Sequence, residues 1–455
     1  MTSCVILTSK YYMESLKKAA SKKKDLVNFY FFGVFSSLFY ASFYLIYSLK
    51  GAFGDESLAL KHDGLVAWMI ATLLLLTFIY SLVLKNVNFE KVAVRKILVF
   101  ALLFQALLFF IKPLGSADIY TYIFRGRIIS EYAQNPYIIP YINFPQDHFY
   151  SQIANQWAPF TAIYGPLFML FSALLTYLSQ ESLLVNVLLF KTTSLVFNIT
   201  SLLLVWRITK SKIALFLYSW NPIINFELVN NAHNDSFMVF LLLLSIYFLL
   251  KARRVWKFIL AWVVFWLSIL IKFFTLIFAP FLFLFIFNKL NKTKERVIFV
   301  VFSAVLSFGL TVFLYAPFWE GATTFGRLAE LAQAQNILSS LGVVIVSAVL
   351  KLLGFADFYK IAGMVGKVIF VIFYFGYLIK VFAEKKMKSF KDLLLTFTLV
   401  SAGFYLLFFN WFFPWYFISL ISLFILYLGV SKSFAKVNYL YILTFLGILY
   451  YIVLR

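Results

Sequence analysis

A chain of 455 residues that is 63% hydrophobic and 21% aromatic, with only 13% charged residues, has too little polar surface for a soluble domain, which carries about 25% charged residues. The formal charge of +22 would point to nucleic acid in a soluble chain, but between membrane spans it reports topology, and no nucleic acid is expected as a partner. One cysteine, Cys4, excludes an intramolecular disulfide and a Cys-based metal site.

Long apolar runs recur throughout, so the expected fold class is an all-α polytopic membrane protein; barrel strands would alternate over roughly 10 residues instead. Residues 1–26 form a basic tail with Lys17, Lys18, Lys22, Lys23 and Lys24. The first apolar stretch follows without a small-residue cleavage site and reads as a retained span. Thirteen spans are expected, near residues 27–49, 64–84, 96–111, 182–206, 213–229, 235–250, 258–271, 273–287, 297–316, 361–383, 393–409, 416–430 and 438–454. Two further apolar stretches, 165–178 and 341–353, fall short of the roughly 20 residues a span needs and read as re-entrant or interfacial helices on the outer side. The short pair 258–271 and 273–287, with Lys272 between its halves, reads as a hairpin whose tip stops below the outer surface.

Basic clusters occupy every second connection: the tail, 85–96, 207–212, 251–257, 289–296, 385–391, and Lys432 with Lys436. The positive-inside rule makes these cytoplasmic, with the N-terminus inside and the C-terminus outside. The cytoplasmic connections carry no glycine-rich phosphate loop, which disfavours a nucleotide-dependent activity there. The outer connections are longer, roughly 70 residues at 112–181 and roughly 45 at 317–360, and function is expected in them.

A helix starting at Asp118 puts Asp118, Tyr122 and Arg125 on one face, with Ile119, Ile123 and Ile128 turned to lipid or protein. An acid, a phenol and the guanidinium groups of Arg125 and Arg127 suit a substrate that is both anionic and hydroxylated; a surface helix capped by Asp118 is the alternative. Asn135, Tyr137 and Tyr164 follow in the same connection. A second constellation, Trp220-Asn221-Pro222, Glu227, and Asn230-Asn231-Ala232-His233-Asn234-Asp235, is costly in lipid and is expected to face a wet cavity, or else to form a capped turn. His233 and Asp235 could supply two metal ligands, too few to define a site. Lys272, between two apolar helices, needs a partner or a water-filled pocket, because a lone charge at depth costs on the order of 3 kcal/mol. Trp415 and Tyr416 open a late span, where aromatic belts are common. Lys191 and Lys367 lie inside spans and receive no role.

Ser116-Ala-Asp118-Ile-Tyr120-Thr-Tyr122 with Gly126-Arg127, Asn135-Pro136-Tyr137, Tyr164-Gly165-Pro166, Trp220-Asn221-Pro222, His233-Asn234-Asp235, Lys272 and Pro414-Trp415-Tyr416, in this order, resemble the GT-C superfamily of polytopic glycosyltransferases. The nearest likeness is to polyprenyl-phosphate-mannose-dependent α-mannosyltransferases of the mycobacterial and corynebacterial type. Ala133-Gln134 stands where a glycine is often found. The resemblance implies that residues 27–455 are one transmembrane glycosyltransferase domain with Asp118 as general base and inversion at the anomeric centre. A hexose, mannose first, would pass from a polyprenyl-phosphate donor to an extracytoplasmic glycan or glycolipid acceptor. Arg125, Arg127 and Lys272 are candidates to hold the departing phosphate. Tyr122, Asn135, Tyr137, Tyr164, Asn230, His233, Asn234, Asp235, Trp415 and Tyr416 are the candidate substrate contacts. No cofactor is indicated, and a magnesium or manganese requirement is left open. The aromatic excess fits an isoprenoid chain lying in a groove open to the bilayer, although lipid-facing packing would also account for most of it. A lipid or solute transporter or flippase, and a polyprenyl-diphosphate glycan ligase or polymerase, are the alternatives.

Overall fold

A computed structural model describes residues 23–44, 63–326, 340–384, 387–408 and 412–453. Most of the basic tail, the middle of the 317–360 connection, Lys385 and the Asn410-Trp411 pair lie outside these residues. Among the described residues the regular secondary structure is helical apart from an isolated bridge between Glu320 and Ala322.

The long helices α1 (Lys23–Tyr44) and α2 (Asp63–Asn86) precede the shorter α3 (Val94–Phe109). Two non-spanning helices follow in the first long connection, α4 (Asp118–Ser130) and α5 (Pro166–Ser179). They pack closely because Gly126 meets the α5 backbone, where an added Cβ would come within 2.6 Å of the Ser172 carbonyl. Then come α6 (Leu183–Thr209) and α7 (Lys212–Ser219).

The expected span at 213–229 is broken. Pro222 has no N–H to continue α7, and Asn221 caps a new helix by accepting from the N–H groups of Ile223 and Ile224. This helix, α8 (Pro222–Asn230), ends in a π-helical turn at Phe226–Asn230. After a bend of 117° the chain leaves along α9 (Asp235–Lys251).

The hairpin expected around Lys272 is present as α10 (Val255–Ile269) and α11 (Phe273–Lys289), the latter opening with a 3₁₀ segment. The remaining helices are α12 (Thr293–Tyr315), α13 (Leu341–Leu352), α14 (Phe358–Ala383), α15 (Phe390–Gly403, continued by a π turn to Phe408), α16 (Phe417–Ser431) and α17 (Val437–Val453). Among the described residues, eight helices are long and apolar enough to cross a membrane, and the bent pair of α8 and α9 would make nine. The helices near 165–178 and 341–353 are 14 and 12 residues long, short of a span as expected. Helix α16 is the central post. It is apolar on every face, and each residue from Phe417 to Gly429 is buried.

Helix α3 ends inside the protein, where its last carbonyls have no intrahelical donor. Lys191 of α6 donates to the carbonyls of Leu108 (3.3 Å) and Ile111, and Asn230 Nδ2 donates to those of Ile111 (3.1 Å) and Lys112 (3.0 Å). The lysine without a role in the sequence reading is thus a helix cap, its amine donating to the carbonyls that end α3. Lys191→Met should leave buried carbonyls short of a donor and cost about 1–3 kcal/mol, read as a lower melting temperature of the detergent-solubilised protein.

Candidate active site

The approach to Asp118 is held by a second set of buried amides. Asn231 Oδ1 accepts from the N–H groups of Leu114 (3.2 Å) and Gly115 (3.0 Å), and Asn230 Oδ1 also accepts from Leu114 (3.0 Å). The Asp118 N–H donates to Ser116 Oγ at 3.1 Å, and α4 begins there. Asp118 lies inside the protein at 7% exposure, so a surface helix is ruled out; Ile119, Ile123 and Ile128 are fully buried against protein. Tyr122, one turn on, donates to Asp118 Oδ2 at 3.4 Å.

A cavity of about 1390 Å³ opens beside Asp118. Its polar end is formed by Asp118, Thr121, Arg125, Tyr164, Lys272 and the Trp415-Tyr416 pair. From there it runs as an apolar groove along α11, α14 and α15, walled by Phe274, Phe283, Phe370, Phe375, Phe404 and Phe408, with Lys367 also on its lining. Asp118 is the only carboxylate among the described lining residues.

Lys272 sits at the break between α10 and α11. Its Nζ donates to both oxygens of Asp235 (3.0 and 2.8 Å) and lies 4.3 Å above the Tyr416 ring. The Tyr164-Gly165-Pro166 turn is clasped to the same break: the N–H groups of Gly165 and Leu167 donate to the carbonyls of Ile271 (2.9 Å) and Leu270 (3.1 Å). A side chain at Gly165 would collide with the Leu270 carbonyl, so this motif glycine serves a backbone contact. Arg125 lines the chamber while its Nη2 donates to the carbonyls of Phe160 (3.3 Å) and Thr161 (3.1 Å).

Behind Asp118 the turn between α8 and α9 brings in His233, fully buried, with Nδ1 3.6 Å from Asp118 Oδ2 and 3.4 Å from the Tyr122 hydroxyl. Its other ring nitrogen is 3.2 Å from Glu227 Oε2. Trp415 stacks on the imidazole at 3.9 Å between centroids, and Phe413 stacks on Trp415 at 4.6 Å. Trp415 and Phe413 both also line the cavity. His233 and Asp235 face different partners, and among the described residues no three His, Cys, Asp or Glu side chains converge as metal ligands. Asn234 is buried, and neither of its amide atoms has a hydrogen-bond partner among the described residues.

Of the expected contacts, Tyr122, Arg127, Asn135, Tyr137, Asn230, His233, Asn234 and Asp235 are not on the cavity lining. Arg127 does not line the cavity; its Nε and Nη2 bind Asp147 Oδ2 at 3.0 and 2.9 Å, and its guanidinium lies 4.3 Å over Phe149. Tyr132 also donates to Asp147 (2.8 Å); burial and that carboxylate push its phenol up to about 12, which keeps it a donor near neutral pH. Asn135 donates to the Phe318 carbonyl and to Glu320 Oε1, both at 2.9 Å, while Tyr137 donates to the Tyr164 carbonyl at 2.7 Å. These residues brace the loops around the chamber. Ala133 has φ of 49°, in the left-handed region that favours glycine. Sequence reasoning missed the pairing of Glu227 with His233 and the arrival of Tyr451 from α17, which donates to Glu227 Oε1. The available signal was a lone acid in an apolar helix.

The fold and site together define a polytopic all-α membrane protein with a polar chamber continuous with an apolar groove. The family model for the N-terminal domain of alpha-(1->6)-mannopyranosyltransferase matches residues 52–288, a little over half of the chain, and the protein belongs to that family. It is a glycosyltransferase of the mannosyltransferase type, acting with a sugar donor and an acceptor in a membrane. No curated protein and no solved structure matches the chain.

The Arg127–Asp147 pair is buried on both sides, so removing one partner strands a charge. Arg127→Met is expected to cost about 3–5 kcal/mol, and the double variant Arg127→Met/Asp147→Leu to recover most of it, as read by thermal melting of the purified protein.

Proposed function

We propose that this protein transfers mannose from a polyprenyl-phosphate donor to a hydroxyl of an extracytoplasmic mannoside or glycolipid, as a single GT-C-type transmembrane domain spanning residues 27–455, with Asp118 as general base. The observation that carries the reading is the continuity of the cavity: a chamber holding one carboxylate and two cations, Arg125 and Lys272, opens directly into a long phenylalanine-walled groove. That layout matches a ligand with an anionic, hydroxylated head and a long apolar tail.

The chemistry follows from the leaving group. Glycoside hydrolysis needs a second carboxyl to protonate a poor leaving group, whereas a polyprenyl phosphate departs as a stable anion and needs charge stabilisation. One base is then sufficient. The acceptor O–H proton moves to Asp118 as the acceptor oxygen bonds the anomeric carbon, and the bond from that carbon to the phosphate oxygen breaks with its electron pair going to phosphate. In-line attack inverts, so an α-mannoside product implies a β-linked donor. A 1→6 linkage, as in the family description, would make the acceptor a primary hydroxyl. Arg125 and Lys272 are the phosphate-binding candidates; Arg127, bound to Asp147 away from the cavity, is assigned to bracing instead. The basic clusters between spans support an active site outside the cytoplasm.

Purified protein is expected to consume polyprenyl-phosphate mannose in the presence of octyl α-mannoside, and Asp118→Asn to lose about 10²- to 10⁴-fold in turnover with an unchanged melting temperature. Near-native turnover by that variant removes Asp118 from the mechanism, and donor left intact by wild type, with movement across liposomes, favours a transporter. In a Cys4→Ser background, a membrane-impermeant maleimide should label Gln134→Cys in intact cells and leave Lys292→Cys unlabelled. The opposite pattern inverts the topology.

A further inference from the structure

We propose that Glu227 and His233 form a buried proton relay behind Asp118, in which His233 draws off the acceptor proton that Asp118 collects and Glu227 holds the resulting imidazolium. The proposal deepens the reading above and rests on Asp118 being the base.

The geometry is that of an imidazole between two carboxylates. His233 Nδ1 is 3.6 Å from Asp118 Oδ2, and Nε2 is 3.2 Å from Glu227 Oε2. The ring is held by its stack on Trp415, itself backed by Phe413, so the two nitrogens keep their separate partners. Glu227 is fully buried on the π turn of α8, with hydrogen bonds from Asn231 Nδ2 (2.8 Å) and the Tyr451 hydroxyl, while the His233 N–H bonds its backbone carbonyl (3.1 Å). Among the described residues, His233 is the only basic side chain within ion-pair distance of it. A buried carboxylate without a cationic partner is costly, and His233 is the side chain placed to become that partner when it takes up the proton.

The proton inventory closes. In the relay the neutral imidazole carries its N–H on Nε2, which lies within ion-pair distance of Glu227 Oε2 without a hydrogen bond to it in this structure, and Nδ1 is the acceptor; the Tyr122 hydroxyl stands 3.4 Å from both Nδ1 and Asp118 Oδ2. The acceptor proton passes to Asp118 and on to Nδ1, directly or through the Tyr122 hydroxyl; no electrons move, and Glu227 stays ionised. After product leaves, the proton returns through Asp118 to water in the cavity, because the relay ends in protein. Separations of 3.4–3.6 Å are long for transfer and are expected to tighten with substrate bound. Glu227 and His233 are positioning residues that act through Asp118.

Steady-state kinetics of purified protein with polyprenyl-phosphate mannose and octyl α-mannoside test this. Glu227→Gln and His233→Gln should each lower kcat about 10- to 100-fold, the usual effect of removing a carboxylate behind a functional histidine, with donor KM within about twofold. Glu227→Asp, which keeps the charge, should recover most of the loss. The double variant should be no slower than the slower single, since residues acting as one unit are not additive.

The groups around the imidazole are Asp118 and Tyr122 on α4, Glu227 and Asn231 on α8, and Tyr451 on α17. Tyr164, Tyr416 and the Lys272–Asp235 pair lie across the chamber. A purely structural residue would lower melting temperature and move donor KM together with kcat, whereas the relay predicts a loss in kcat alone that Glu227→Asp rescues. If Glu227→Gln does not fold, His233→Gln decides, because its amide can still donate to Glu227 but cannot take up a proton.

Near-native kcat in either folded variant, or additive losses in the double, overturns the relay while an inactive Asp118→Asn leaves the base in place. An active Asp118→Asn overturns the base and the relay with it.

Discussion

No water inside a packed membrane bundle satisfies the end of a helix, so a helix that stops there must find donors from its neighbours. Helix α3 stops there, and the donors are Lys191 and Asn230. The rest of the site hangs from this junction. Asn230 and Asn231 also accept from Leu114 and Gly115, fixing the path of the chain from α3 to Asp118. The same turn continues into His233 and Asp235, which meet Asp118 and Lys272. One buried set of amides therefore registers three elements remote in sequence against each other, and Asn230, weighed as a substrate contact, does its bonding to backbone.

The electrostatic layout follows. Asp235 is neutralised by Lys272 through two hydrogen bonds, and Glu227 is sealed behind Asn231, Tyr451 and His233. Of the acids near the chamber only Asp118 is left on its surface. Burial and pairing have put three carboxylates into three different environments within one low-dielectric site.

Much of this was legible in the sequence, and the failures have specific causes. The face shared by Asp118, Tyr122 and Arg125 follows from helical spacing, and α4 begins where that spacing predicts. Arg127 is nine residues from Asp118, about half a turn away at 3.6 residues per turn, so the period that grouped Arg125 with Asp118 also turned Arg127 from it; its partner, Asp147, is a long-range contact no periodicity shows. The uninterrupted span expected at 213–229 ran through Pro222, whose missing N–H marks the break. Beyond that point the π turn shifts the register of the following side chains, which is why the direction of Glu227 could not be read from a helical wheel. Lys191 was opaque for another reason: its partners are backbone carbonyls, which carry no residue identity.

For an isoprenoid-linked donor, the division between chamber and groove has an energetic consequence. A polyprenyl chain in the bilayer is already in an apolar medium, so moving it against the phenylalanines of α11, α14 and α15 removes almost no apolar surface from water. The groove then contributes little to affinity beyond packing contacts; it fixes the direction from which the head group enters. Discrimination among such donors would then come from the polar end, where Arg125, Lys272 and Trp415 line the chamber beside Asp118. A groove of this kind tolerates donors of different chain length, while a one-residue change in the chamber alters which head group is accepted, because only there does binding exchange contacts with water for contacts with protein.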